Sequence, residues 1–152
     1  MNKKVNKKNL AIVLVAGICL FNFTACKNKL SQAIAGTYNG KAIVYVANVE
    51  RSTEENVEIV IKSEGDDKVA LQYPSFKVYG YEIPALNFSH IMVSKEKKNK
   101  YQLSERAVTI KNSDYDITGL INGRVENNAL SLNVTVNDKR INGSITVKYT
   151  AK

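Results

Sequence analysis

The chain has 152 residues, enough for one domain with its own core, and a formal net charge of +8. One histidine and two cysteines are too few nitrogen and sulfur ligands for an ordinary zinc site. Four of the lysines crowd the first eight residues, and without them residues 26–152 carry only +4, too little to point to nucleic acid.

Those four, Lys3, Lys4, Lys7 and Lys8, precede an apolar run over residues 10–21, broken only by Gly17 and Cys19. Phe23-Thr24-Ala25-Cys26 then closes the segment with small residues before a cysteine. Basic start, apolar middle and lipobox are the layout of a bacterial lipoprotein signal, with Phe23 where leucine is usual. The run falls short of the ~20 apolar residues that span a bilayer, so residues 1–25 read as a removed export signal. Resemblance to bacterial lipoproteins implies that Cys26 becomes the mature N-terminus. It would carry a diacylglyceryl group on its thiol and a further acyl chain on its amine. Each buried methylene contributes ~0.8 kcal/mol, so several chains hold the protein firmly. Cys19 leaves with the signal and Cys26 is consumed by lipid. No thiol then remains for a disulfide, a redox motif or a nucleophile. Residues 26–35 read as a lipidated tether with room for one helical turn, and Gly36 opens the folded domain, residues 36–152.

From there the pattern is all-β. Val57, Ile59 and Ile61 form one apolar face, and Val69, Leu71 and Tyr73 another, with Gly65-Asp66-Asp67 as the turn between them. Pro74 and Pro84 sit beside chain reversals, where a missing N–H is tolerated. Residues 95–100 read as a charged connection between a strand over 88–94 and one through 108–110. Asn127-Asn128 suits a two-residue hairpin turn with positive φ. Leu130, Leu132, Val134 and Val136 then alternate with Ser131, Asn133, Thr135 and Asn137, one dry row and one wet. After Asn137-Asp138-Lys139, the stretch 141–150 repeats this with Ile145, Val147 and Tyr149. Short strands joined by short turns predict an antiparallel up-and-down meander of eight or nine strands. Closing it into a barrel removes the exposed edges; a two-sheet β-sandwich fits the same periodicity.

Gly36-Thr37-Tyr38-Asn39-Gly40 after a lipobox, the Gly-Asp-Asp turn, residues 76–83, the strand at 91–93 and the closing pair around Asn127-Asn128 and 141–149 together resemble the calycin-like lipoproteins of gut Bacteroidetes. The resemblance covers residues 35–152 and implies a calycin, or lipocalin-type, barrel. It carries no catalytic residues. Surface lipoproteins of those bacteria resemble one another in acidic residues directly after the cysteine. Here Lys27, Asn28 and Lys29 follow it, which implies an anchor in the cell envelope, on the outer membrane and facing the periplasm.

The residues offer little for catalysis. His90 shares parity with Phe88 and Met92, which would turn it inward as a hydrogen-bonded strand residue rather than a base or ligand. Ser104, Glu105 and Asp114 come without a nucleophile elbow. The acid pairs Asp66 and Asp67, Glu54 and Glu55, and Asp114 and Asp116 sit in turns, loops or strand starts, where carboxylates stay solvated rather than acquiring the raised pKa of a glycosidase acid. No enzyme activity, cofactor or metal is expected. The run Lys95-Glu96-Lys97-Lys98-Asn99-Lys100 reads as a solvated hairpin tip that could also meet anionic headgroups. The aromatic stretch Tyr73, Phe76, Tyr79, Tyr81 and Phe88 is the candidate ligand-binding set, since tyrosines and phenylalanines suit an apolar or amphipathic guest. The same side chains could equally fill a small barrel. Two functions follow: a lipid-anchored module binding a small apolar ligand, or a packed barrel contacting an envelope protein or polymer.

Overall fold

The computed structural model describes residues 29–152. The signal at 1–25 and the lipid site at Cys26 lie outside the described residues. A short helix, α1 (Leu30–Ile34), precedes ten strands. They are β1 (Gly36–Val46), β2 (Val49–Ser63), β3 (Lys68–Tyr73), β4 (Phe76–Val78), β5 (Tyr81–Ile83), β6 (Leu86–Lys97), β7 (Lys100–Lys111), β8 (Asp116–Glu126), β9 (Ala129–Asp138) and β10 (Ile145–Ala151).

Eight strands close into one antiparallel barrel in the order β1-β10-β9-β8-β7-β6-β3-β2, and β4 pairs with β5 as a separate hairpin. This is the expected up-and-down meander, and the sandwich alternative falls away. Closure is made by β1 and β10, from Gly40 opposite Ala151 to Val46 opposite Ile145. The inward rows form one core that includes Ala42, Val44, Ile59, Ile61, Leu71, Phe88, Ile121, Leu132, Val134, Val147 and Tyr149.

Local chemistry explains the corners. Ala47 and Asn48, Tyr79 and Gly80, and Asn127 and Asn128 all have positive φ, as two-residue hairpin turns of matching twist require. The expected charged connection over 95–100 is mostly strand; only Lys98 and Asn99 turn, because β6 and β7 stay paired as far as Lys97 and Lys100. The last strand begins at Ile145, not near 141, because residues 139–144 form a loop that buries Ile141.

The meander gives the barrel two different ends. At one, α1 docks beside the β2–β3 turn, where Ser31 N–H donates to Asp66 O (3.1 Å) and Ile34 joins the core. Residues 30–34, within the stretch 26–35 read as tether, therefore pack against the barrel, while 26–28 lie outside the described residues. Tyrosines tie this helix end together: Tyr38 Oη donates to Ile34 O (2.8 Å), and Tyr149 Oη to Tyr38 O (2.7 Å) and Val57 O (3.1 Å). Burial pushes the Tyr149 hydroxyl up to about 12, so it donates throughout the physiological range. At the other end the β4–β5 hairpin forms a lid, with Phe76, Val78 and Ile83 buried in the common core.

Backbone crowding in the wall is specific at two glycines. A Cβ on Gly123 would lie 2.4 Å from Ser131 O and 2.6 Å from Leu132 Cδ2; one on Gly40 would lie 2.2 Å from Thr150 O, in the closing ladder. Gly123→Ala should therefore destabilise the fold by about 1–3 kcal/mol, the usual range for overpacking. Denaturant unfolding of the two proteins checks it, and an unchanged midpoint would mean that the β8–β9 ladder yields freely.

Candidate functional site

The aromatic set does not share one pocket. Tyr73 and Phe88 point into the core at 1% and 2% exposure, and Phe76 meets Tyr73 edge-to-face with centroids 5.8 Å apart. A Cβ added at Gly119 on β8 would come within 3.1 Å of Leu86 Cδ1 and 3.5 Å of Phe88 Cζ, both from β6. The lumen between these strands is filled by side chains. Tyr79 and Tyr81 instead stand at the tip of the lid, 57% and 44% exposed. Burial raises the Tyr73 hydroxyl well above the ordinary tyrosine value.

The densest polar constellation lies at this lid end, around the turn expected at Asn137-Asp138-Lys139. Asp138 ends β9 with a fully buried side chain. It accepts Arg140 Nε on both oxygens (3.0 and 3.1 Å), Arg140 Nη2 at 2.6 Å and the Arg140 backbone N–H at 2.9 Å. The same guanidinium donates to Glu82 O in the lid (3.0 Å). It also stands 5.4 Å from the Tyr81 ring centroid and 4.9 Å from that of Tyr115, in the β7–β8 loop. One cation thus joins the lid, that loop and the end of β9. A second arginine, Arg51 on β2, stacks 5.4 Å from Tyr79. Bonding to Arg140 holds the Asp138 carboxyl below its usual range, against the opposing effect of burial. Asp116 is lowered in the same direction by its bond to Lys139.

The remaining candidates are spread over the outer wall and the two barrel ends. A bulge with positive φ at His90 resets the parity of β6, so Ile91 and Val93 turn inward while Met92 is 42% exposed. His90 is consequently exposed on the outer wall, contrary to its expected inward direction, and its backbone N–H donates to Glu64 Oε2 (2.6 Å). Ser104 Oγ accepts the Met92 N–H (3.1 Å), within the wall, while Asp114 stands in the β7–β8 loop at the lid end, held to Asn112. Asp66 pairs with Lys29 (3.1 Å) and Glu55 with Lys41 (3.2 Å). Among the described residues, no three His, Cys, Asp or Glu side chains are grouped as a metal site. The carboxylates with resolved shifts, Asp116 and Asp138, both move down, the wrong direction for a general acid.

Hollows open on the outer wall. One of about 410 Å³ runs across β2, β3 and β6 past Val60, Lys62, Ala70, Gln72, Asn87 and Ser89, and Leu71 and Phe88, the latter one of the five aromatics, also line it. Another of about 450 Å³ adjoins it past Glu54, Asn56, Glu58 and Pro74. β3 pairs with β2 only from Val60 to Ser63, so the first half of β2 has no β3 partner beside the second hollow. Among the described residues, no helix is long and apolar enough to cross a membrane.

Comparison with known proteins bears on the fold. Residues 34–152 match the family model described as Calycin-like beta-barrel domain. A crystal structure of a protein from Bacteroides fragilis NCTC 9343, described as a candidate outer membrane protein, superposes with a TM-score of 0.68 at 20% identity. The match covers 82% of this chain and 52% of that one, so this chain spans about half the length of its neighbour. Among curated proteins, none matches the chain.

The Arg140 clamp has a pH signature. A depressed carboxyl pKa contributes stability that is complete above the unfolded value, near 3.8, and is lost as pH falls through the folded value. Arg140→Ala should lower the unfolding midpoint at neutral pH and expose the lid to limited proteolysis. The gap from the parent should close as pH drops below about 4. A gap that stayed constant down to strong acid would mean that the Asp138 charge takes no part.

Proposed function

We propose, for a chain that belongs to the calycin-like β-barrel family, a lipid-anchored protein of the cell envelope that acts through its surface and rims, not through a guest inside the barrel. The observation that carries this reading is the filled lumen. Tyr73, Leu86, Phe88 and Tyr149 are all under 3% exposed and pack with the inward rows of the other strands. An eight-stranded barrel has just enough width for its own side chains. What remains accessible is the lid end, where Tyr79 and Tyr81 lie exposed beside Arg51 and Arg140. Tyrosine and arginine are among the residues enriched where proteins meet partners, and the proposed partner is an envelope protein.

Anchoring is supported by the lysines, apolar run and lipobox that end at Cys26. An envelope position agrees with the description of the Bacteroides fragilis neighbour as a candidate outer membrane protein. The proposed placement is the outer membrane, facing the periplasm, with a non-enzymatic role supported by the position of Asp114 at the lid end, away from His90 and Ser104 on the wall of β6 and β7. A small amphipathic ligand is the second reading. The outer-wall hollow of about 410 Å³, which mixes Val60 and Ala70 with Lys62, Gln72 and Asn87, favours it over a guest in the lumen.

Expression of the full chain in a diderm bacterium tests the anchor. The N-terminal peptide should carry a diacylglyceryl mass on Cys26, and the protein should fractionate with membranes. Cys26→Ser should abolish the added mass and release the protein to the soluble fraction. An unmodified Cys26 in the membrane-bound protein would overturn the anchor. Titration of the purified lipoprotein with a fluorescent fatty acid should show no saturable site; a saturable one, weakened by substitution of Val60 or Ala70, would favour the second reading.

A further inference from the structure

We propose that the helix end of the barrel is its membrane face, with Lys95, Lys97 and Lys98 seated on anionic lipid headgroups. The inference rests on the anchor at Cys26 and adds what the anchor alone leaves open, which end of the barrel meets the bilayer.

The argument starts from the position of α1. Its N-terminal neighbour, Lys29, is fixed to the β2–β3 turn by its ion pair with Asp66 (3.1 Å), and Ser31 N–H is bonded to the same residue's carbonyl. The chain therefore enters the fold at the helix end. Cys26 is three residues before Lys29. Fully extended chain covers at most ~3.6 Å per residue, so the lipidated residue reaches only about 10 Å from Lys29. A lipid whose acyl chains are in the bilayer must then bring this end to within about that distance of the headgroups. The lid end, across the full length of the strands, points away.

The second observation is what else stands at the same end. The β6–β7 hairpin turns there, at Lys98 and Asn99, and Lys95, Lys97 and Lys98 are all exposed. Lys29 and Lys95 line one hollow of about 300 Å³ beside α1, so the anchor's entry point and the lysine run are neighbours. Three acids of this end are engaged elsewhere, while Asp67 in the β2–β3 turn and Glu126 opposite Lys100 enter no ion pair among the described residues and are outnumbered by the lysines around them. Asp66 takes Lys29, Glu96 takes Lys100 (3.1 Å), and Glu64 accepts the His90 N–H. Among the described residues, Lys95, Lys97 and Lys98 enter no ion pair. The Debye length at physiological salt is about 8 Å, so lysines held this near the surface feel the lipid charge. An exposed basic residue at that distance strengthens contact by roughly fivefold. The β6–β7 turn would thus serve as a foot that keeps the barrel upright and leaves Tyr79 and Tyr81 facing outward.

The test uses the full acylated lipoprotein, reconstituted into phosphatidylcholine vesicles with or without phosphatidylglycerol and with headgroup spin-labelled lipid as quencher. Acylation of Cys26 is verified first by mass. A fluorophore is placed on Lys152→Cys at the helix end or on Ser113→Cys at the lid end. Quenching should be strong at the helix end, absent at the lid end, and greater with phosphatidylglycerol. Lys95→Gln/Lys97→Gln/Lys98→Gln should reduce the helix-end quenching severalfold and remove its dependence on phosphatidylglycerol, with the acyl mass and thermal midpoint unchanged. Equal quenching at both ends, or a variant indistinguishable from the parent, would overturn the foot while leaving the anchor standing. A missing acyl mass would overturn both.

Discussion

Everything in this molecule depends on the ladder between β1 and β10. That pairing, from Gly40 opposite Ala151 to Val46 opposite Ile145, turns an open meander into a closed wall. Closure removes both sheet edges and commits every inward side chain to one lumen. With eight strands, the lumen is about as wide as the side chains that line it. Gly40 sits in this ladder because a Cβ there would run into Thr150 O. The Tyr149 hydroxyl reaches from β10 to the carbonyls of Tyr38 and Val57, so the seam is tied at its inner face as well.

The two ends close by different chemistry. The helix end is held by neutral bonds and burial, Tyr38 to Ile34 O, Ser31 to the β2–β3 turn and Ile34 in the core, with one exposed ion pair, Lys29–Asp66, beside them. The lid end is held by charge. Arg140 is partly exposed while the Asp138 side chain beneath it is fully buried, and the lid's Tyr81 and Glu82 complete the guanidinium's surroundings. A buried carboxylate without its cation is costly, so the clamp resists opening although its outer half is wet. The buried bonds at the end where the chain enters the fold are neutral, and buried charge orders the end where the aromatic groups are displayed.

The barrel was legible in the sequence wherever two media met across a strand. Leu130 to Val136 alternate with polar residues because β9 has the core on one side and solvent on the other, and the structure keeps that row intact. Legibility failed where parity was reset or burial was one-sided. His90 looked inward on simple alternation, but its bulge turns Met92 out and Ile91 in. The lid was invisible as an element because β4 and β5 have three residues each and turn at Tyr79, an aromatic residue with φ of 51°. The Asp138–Arg140 pair looked like an ordinary turn, since no local pattern tells that the lid and the Tyr115 loop converge on it. The five aromatics read alike in the sequence, as lining for a guest or as filling for a barrel, yet the hairpin divides them between core and surface.

The central claim is that the lumen is occupied by the protein's own side chains and that function lies outside it. Native mass spectrometry of the mature lipoprotein, extracted from its host in mild detergent, tests this most directly. The predicted result is the mass of the acylated chain alone, under conditions in which a known lipocalin complex stays intact. A reproducible additional small-molecule mass, released on denaturation and unaffected by substitutions in the outer-wall hollow, would contradict the account and place a guest within the barrel.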